Sequence, residues 1–451
     1  MTTIKQKMSG WGRFPVHETI VSRPETTADI RRLLNSEAVS NWIAYGLGRS
    51  YGDTPLNENG GTLITTKFNR FMSFDESTGI LECEAGVSFK EILDVFVPRG
   101  YFLPVTPGTK YVTVGGAIAN DVHGKNHHVD GTFSEHVLDF TLLLASGEIV
   151  RCSRTENAPL FWATVGGIGL TGIILTARFR MVPISSSYYN VHYQRARNFE
   201  EALELFSESD DQYRYSVAWI DCMAKGSALG RCVLMRGNNA SADQVKGPNP
   251  LPILHRTKLA IPFDFPSFVL NKWSIKAFNA LYYRIHPKDV HKLVGYESFY
   301  YPLDAIHQWN RMYGKRGFVQ YQAVFPSETC REGLKEMLER LSGSNRSSFL
   351  AVLKSSGDEN GGLLSFPKKG FTLALDIPIT DDSLFPFLRS MDELVLRHGG
   401  RVYLAKDSTL SPEHFRQMYP RYKEFQVIKN LVDPNHVFSS SMARRLKLVE
   451  D

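Results

Sequence analysis

The sequence predicts an α+β protein of two domains, the second built on an antiparallel sheet. Glycine is frequent, at 35 of 451 residues, and much of it clusters before residue 175, among short strand and helix patterns. Pro183 and the run Ser185-Ser186-Ser187 then punctuate the chain. Beyond them aromatics thicken, glycine thins, and strand patterns alternate with helix patterns, as in a layered antiparallel domain. The boundaries expected are 1–187 for the first domain, 188–400 for the second, and 401–451 for a tail returning to the first.

In the first domain, Thr26-Thr27-Ala28-Asp29 is a capping box opening a short helix with Ile30, Leu33 and Leu34 on one side. Ile80–Ala85 reads as a strand, and Ser88-Phe89-Lys90-Glu91 opens a second capped helix running to Val97. Asp139–Leu144 and Glu148–Cys152 read as a hairpin turning at Ser146-Gly147. In Ile173–Met181 the apolar side chains alternate, which predicts a strand with one buried face. In the second domain the predicted strands are Tyr188–Tyr193, Arg214–Ile220, Gly317–Phe325 and Phe371–Ile377, with helices over Phe199–Ser207, Thr329–Leu341 and Ser383–His398. Phe349–Leu353 is strand-like and ends on Lys354, and the tail opens with a strand over Arg401–Ala405. Phe263–Val294 mixes Phe, Tyr, Trp and Leu with Lys272, Lys276, Arg284, Lys288 and Lys292. It reads either as an insertion or helix packed on the surface, or as a mobile lid touching lipid.

Composition narrows the function. Apolar residues at 43% and charged residues at 22% exclude a disordered chain, a coiled coil and a collagen repeat. A net charge of +5 is too mild for a nucleic-acid coat. No stretch reaches the roughly 20 apolar residues of a membrane span, and the N-terminal segment has no apolar core of a secretory signal. Cys83, Cys152, Cys222, Cys232 and Cys330 are few and widely spaced, so they read as reduced thiols of a cytoplasmic-type compartment.

Three glycine-bearing stretches carry the functional signal. Gly46-Leu47-Gly48-Arg49-Ser50-Tyr51-Gly52-Asp53 follows the short strand Trp42–Tyr45 and leads into a turn, so it is no dinucleotide Rossmann motif, yet its backbone amides can cradle an anion. Gly167-Ile168-Gly169-Leu170-Thr171-Gly172 matches G-x-G-x-x-G but leads into a strand and reads as a decoy. The third runs Pro104 to Thr109 and Thr113 to His128, where Gly115-Gly116 permit close backbone approach and Ala117 and Ala119 let a helix pack tightly. His123, His127 and His128 surround Lys125 without an acidic ligand at useful spacing, so no metal is expected there.

These stretches together resemble the flavin-binding domain of the vanillyl-alcohol oxidase/PCMH-type FAD-linked oxidases. The resemblance is closest to the branch of that family that acts on polyprenyl-phosphate pentoses. It extends over nearly the whole chain through GWGR at Gly10–Arg13, GLGRSYGD, TVGGAIANDVHGKNHH, LFWATVGG, WNRMYG, QYQ at Gln320–Gln322, YLAKDS at Tyr403–Ser408 and the terminal MARRL. It implies FAD held by Ala44, Tyr45, Gly46, Leu47, Gly48, Arg49, Ser50, Tyr51, Gly52, Asp53, Thr54, Gly108, Thr113, Val114, Gly115, Gly116, Asn120, Asp121, Val122, His123, Ile174 and Tyr403, with the first loop and the T-V-G-G segment on the pyrophosphate. Many relatives carry in the first loop a His bonded covalently to the flavin. Here that position is Arg49, so the FAD is expected to be non-covalent, with Arg49 available to its phosphates.

The resemblance implies oxidation of a ribose 2′-hydroxyl, the first half of an epimerisation to the arabinose form. Lys406, His123 and Tyr51 are then the catalytic candidates. Lys354, Gln320, Gln322, Tyr300 and Asp376 are the substrate-binding candidates. Gln320 and Gln322 are two apart on a strand and so share a face, where amides suit sugar hydroxyls. Ala374 replaces a cysteine of other members, so no reactive thiol is expected in the pocket. The resemblance also implies a separate NADH-dependent short-chain dehydrogenase partner and work at a membrane surface. Two alternatives stay open: oxidation of a soluble alditol or aldonolactone, and a flavin-fold protein kept as a binding subunit.

Overall fold

The computed structural model describes residues 3–208, 211–254, 259–266, 269–344, 346, 348 and 350–449. Both predicted capping boxes form. Thr26 and Ser88 each accept the backbone N–H three residues on, while Asp29 and Glu91 reach back to the cap. The resulting helices, Thr27–Leu34 and Phe89–Phe96, bury Ile30 and Leu33, and Phe89, Ile92, Leu93 and Phe96.

Two sheets lie within residues 3–180. A four-stranded sheet is ordered Thr3–Ser9, Val16–Ser22, Gly61–Ile64, Trp42–Tyr45, the first pair antiparallel and the others parallel. A five-stranded antiparallel sheet places Ile173–Arg180 at its centre, between Ile80–Glu84 and Val137–Leu143. Ile173, Leu175, Ala177 and Phe179 are its buried side, as the alternation predicts.

The third sheet has eight antiparallel strands in the order Asp289–Gly295, Tyr188–Ala196, Cys232–Asn239, Tyr215–Ile220, Ala351–Ser356, Gly370–Pro378, Phe318–Pro326 and Arg401–Val402. Its two faces differ sharply. One, carrying Ala218, Leu353, Leu373 and Leu375, packs on the helices Phe199–Ser207, Cys330–Gly343 and Leu384–Arg397 in one apolar core. On the other, register pairs align Trp219 with Val352, Val352 with Ala374, and Ala374 with Gln322, which puts these side chains on one surface. Lys354, paired with Thr372, follows two residues on and shares that surface.

Several expectations are corrected. The strand predicted over Arg401–Ala405 ends at Val402 and caps the edge of the eight-stranded sheet, before a turn carries the chain back. Beyond that turn the tail grips the first sheets: Arg445 pairs with Asp53 and Asp407, and Phe438 bridges to Trp42. The strands Cys232–Asn239 and Asp289–Gly295 were not foreseen. Within Phe263–Val294, of which 267 and 268 lie outside the described residues, a helix spans Lys272–Ile285 and packs on the sheet through Ile275 and Asn279. Phe349, the first residue of the predicted strand before Lys354, also lies outside them. Among the described residues no helix is long and apolar enough to cross a membrane.

Candidate active site

The mixed face of the eight-stranded sheet closes one side of a cavity whose other side is the glycine-rich loops. About 2010 Å³ inside it, counted to its open mouth, is free of protein atoms. Its walls include Gly46–Tyr51 and Thr54, Pro107–Thr109, Thr113, Gly115, Gly116, Asn120, Val122 and His123. Gln320, Gln322, Lys354 and Ala374 come from the sheet, and Tyr403, Ala405 and Lys406 from the tail.

The first loop is shaped by steric necessity. Gly48 has φ +64°, and a Cβ there would lie 2.1 Å from the Tyr45 hydroxyl. A Cβ on Gly46 would lie 2.4 Å from Thr113 Oγ1. The N–H groups of Leu47, Gly48, Arg49 and Ser50 find no acceptor among the described residues. A run of free amides on a cavity wall is an anion cradle, so the residues present fit the diphosphate of FAD. The T-V-G-G segment differs. The amides of Val114 and Gly115 bond to Val87 and Ala85 carbonyls, and that of Gly116 bonds to Thr113 Oγ1. The free amides are therefore those of the first loop, while Gly115 and Gly116 line the cavity with their amides already bonded. Arg49 turns its guanidinium to Leu47 O at 3.0 Å and over the Trp11 ring at 4.0 Å.

Around the sheet side, Gln322 Nε2 lies 2.9 Å from His123 Nε2 and 3.2 Å from Thr372 Oγ1. With the amide donating, His123 Nε2 accepts and its proton sits on Nδ1, which has no partner. Burial, then the charge of Lys354, holds the imidazole well below its usual pKa, so the ring is neutral. Lys406 Nζ lies 3.8 Å from the centroid of the Tyr51 ring. Burial pushes its pKa down to about 7, against a raising pull from Asp376 and with a further lowering push from Lys354. Lys354 is pushed down to about 8 by burial alone. Among the described residues neither ammonium has a hydrogen-bonded carboxylate or carbonyl. Burial also raises Asp376 to about 7, although Gln320 Nε2 donates to its Oδ1.

The structure thus brings Lys406, His123, Tyr51, Lys354, Gln320 and Gln322 to one cavity, together with Ala44, Gly108, Ile174 and Ala374. Other expected residues stand behind the wall. Tyr45 lies under Gly48, Gly52 packs against the Asp407 carbonyl, and Asp53 pairs with Arg445. Val114 is core, and Asp121 accepts hydrogen bonds from Asn360 and Ser365. Asp376, the cross-strand partner of Gln320, accepts its amide N–H without lining the cavity. Tyr300 is not among the lining residues: it is 2% exposed in a cluster with Tyr189, Tyr215 and Phe299, its ring centroid 5.6 Å from Lys125 Nζ. All five cysteines are buried and none lines the cavity.

The sequence reading missed other wall residues. Gly169, Gly172 and Ile173 line the cavity, so the G-x-G-x-x-G match dismissed as a decoy is no Rossmann motif but is part of the site. Trp11 and Tyr111 flank Arg49, and Asp304, held by Thr109 Oγ1 and the Lys110 N–H, stands at the rim. Lys125 stands beside the cavity, donating to Phe299 O, and burial lowers its pKa to about 7. It lies inside the histidine-rich motif, a signal that was available.

Comparison with known proteins agrees with this geometry. Residues 19–153 match the FAD binding domain family, and residues 379–446 match the D-arabinono-1,4-lactone oxidase family. The chain is 39% identical to decaprenylphosphoryl-β-D-ribose oxidase of Mycolicibacterium smegmatis, over 99% of this chain and 98% of that protein. It is 32% identical to an uncharacterised protein of Streptomyces coelicolor over 80% of this chain and 100% of that one. To L-gulonolactone oxidase of Bos taurus it is 22% identical over 98% of each. FAD is the cofactor these matches indicate for the cradle. The chain belongs to the decaprenylphosphoryl-β-D-ribose oxidase family and is an FAD-dependent oxidoreductase.

Proposed function

We propose that this protein oxidises the 2′-hydroxyl of a polyprenylphosphoryl-β-D-ribose to the 2′-keto sugar. The observation that carries the reading is the pair of unneutralised lysines, Lys354 and Lys406, flanking the sheet amides of Gln320 and Gln322 on the cavity wall. The name of the Mycolicibacterium smegmatis relative supports the substrate class. In this reading residues 1–187 hold the cofactor, 188–400 the substrate, and the tail from 401 supplies Lys406.

FAD, when bound, supplies the acceptor for the hydride that leaves C2′. The chain supplies the rest. Lys406, with a pKa near 7, is neutral in a large fraction of molecules at neutral pH and takes the hydroxyl proton on Nζ. His123 stays neutral and oriented by Gln322, and Tyr51 forms the apolar platform under Lys406. Lys354 neutralises the substrate phosphate or bonds a ring hydroxyl, and Gln320 and Gln322 orient the ring. Asp376, beside Gln320 on the sheet, raises the Lys406 pKa.

Completing the epimerisation needs reduction of the keto sugar from its other face, which the proposal assigns to an NADH-dependent short-chain dehydrogenase partner. The substrate's lipid places the reaction at a membrane surface. Anaerobic mixing with a polyprenylphosphoryl ribose, an alditol and an aldonolactone tests the reading. Flavin absorbance should bleach with the first; bleaching by the aldonolactone alone would transfer the assignment to the reaction named by the match over residues 379–446.

A further inference from the structure

The helix Lys272–Ile285 has an unusual outer surface. Trp273 is 75% exposed, Leu281 60% and Ile285 65%, with Phe278 also exposed. On a helix the spacing of Trp273, Ala277, Leu281 and Ile285 gathers them on one side. Across residues 272–288 the charged side chains are Lys272, Lys276, Arg284 and Lys288, with no Asp or Glu.

The opposite side of the helix is committed to the protein. Ile275 and Asn279 are buried, Asn279 Nδ2 donates to Asp221 Oδ1, and the Tyr282 ring packs 4.4 Å from that of Trp219. Trp219 is the register partner of Val352, which lines the cavity. The helix therefore lies on the cavity side of the eight-stranded sheet.

A second apolar element joins it. Leu259 and Phe263 are 69% and 61% exposed. Leu259-Ala260 pairs in parallel with Ile306-His307, and both of the latter line the cavity. Arg311 donates to the Ile261 and Pro262 carbonyls, and Arg13 neutralises Asp264. The strap 259–264 is thus laced to the cavity rim.

We propose that this helix face and the strap form a docking surface for an anionic lipid membrane, which sets the cavity mouth against the bilayer. The helix has the large apolar side chains, interleaved Lys and Arg and no acid that an interfacial helix needs, and the strap's one acid, Asp264, is paired with Arg13: the apolar groups enter the headgroup boundary and the cations meet anionic lipids. A protein partner fits less well, because the cores of protein interfaces are depleted in lysine. The purpose of the surface rests on the lipid-linked substrate proposed above, but its existence is measured separately.

The test is flotation of the FAD-loaded full chain with phosphatidylglycerol/phosphatidylcholine vesicles and with phosphatidylcholine alone. The wild type should float with the anionic vesicles and lose binding as salt rises. Trp273→Ser/Leu281→Ser/Ile285→Ser and Lys276→Glu/Arg284→Glu should each cut that binding at least about tenfold. Both should keep bound FAD, the wild-type melting midpoint and flavin bleaching by detergent-solubilised substrate. Undiminished vesicle binding in both variants would overturn the proposal. So would a wild-type oligomer that the apolar variant dissociates, since the face would then join two copies of the chain. If bleaching fails with every lipid-linked sugar while flotation behaves as stated, the substrate reading falls and the docking surface stands.

Discussion

Lys406 stands over the ring of Tyr51, its Nζ 3.8 Å from the ring centroid, and the two are tied through the backbone, since the Tyr51 N–H donates to the Ala405 carbonyl. One contact therefore joins the anion-cradling loop to the turn after the last sheet strand. The ring covers the ammonium on one side without offering it a hydrogen-bond acceptor. That arrangement keeps Lys406 in place while leaving its proton weakly held.

Lys406→Met should lower flavin reduction roughly 10²–10⁴-fold, the usual worth of a positioned proton acceptor. FAD should remain bound, because the cradle lies in the first loop. Single-turnover bleaching followed beside a flavin release assay checks both. Undiminished bleaching would remove Lys406 from the chemistry.

The pH limb of the reaction should move in opposite directions in two neighbours of Lys406. Asp376 raises the Lys406 pKa and Lys354 lowers it. If neutral Lys406 is the active form, the rate rises with pH through about 7. Asp376→Asn should shift that rise to lower pH, and Lys354→Met should shift it to higher pH. Profiles of kcat/KM report the free enzyme and are the measurement to make. The stability sign follows from the same groups. Lys354 and Lys406 bind a proton more tightly unfolded than folded, so stability without FAD should climb with pH from about 7 toward 10.5. Lys354→Met should flatten that climb in thermal melts.

Gly48→Ala tests the cradle. An L side chain at φ +64° costs on the order of 1–3 kcal/mol, and its Cβ would meet the Tyr45 hydroxyl. The loop must shift to relieve this, and its amides move with it. The FAD dissociation constant should rise at least about tenfold, read by fluorescence of released flavin.

The tail is anchored by a pair with both side chains fully buried, Lys429 and Asp433. Asp433 also accepts the N–H groups of Val437 and Phe438, which seats Phe438 against Trp42. Asp433→Ala leaves a buried ammonium alone and should destabilise the protein by about 3–5 kcal/mol in denaturant unfolding. Adding Lys429→Met to that variant should recover part of the loss.

Much of this molecule was legible before folding. The capping boxes at Thr26 and Ser88, the alternation in Ile173–Arg180 and the shared face of Gln320 and Gln322 follow from bonds and periodicities a few residues long. The helix Lys272–Ile285 was blurred because apolar residues occupy its outer side as well as its inner one, which erases the usual amphipathic signature. Tyr300, at the end of the helix Tyr296–Tyr300, packs with Tyr189 and Tyr215 from two strands that no local pattern joins to it.

The residue types needed for an anion cradle and for sugar contacts, and the short elements carrying them, are properties of the chain itself. Folding decided what those residues became. The lysines at 354 and 406 owe their lowered pKa values to desolvation, to which the charge of Lys354 adds at Lys406, and both require segments far apart in sequence to close over one cavity. The glycines of the apparent decoy became cavity wall for the same reason: a backbone's exposure to a ligand depends on what packs beside it, and no stretch of sequence carries that information alone.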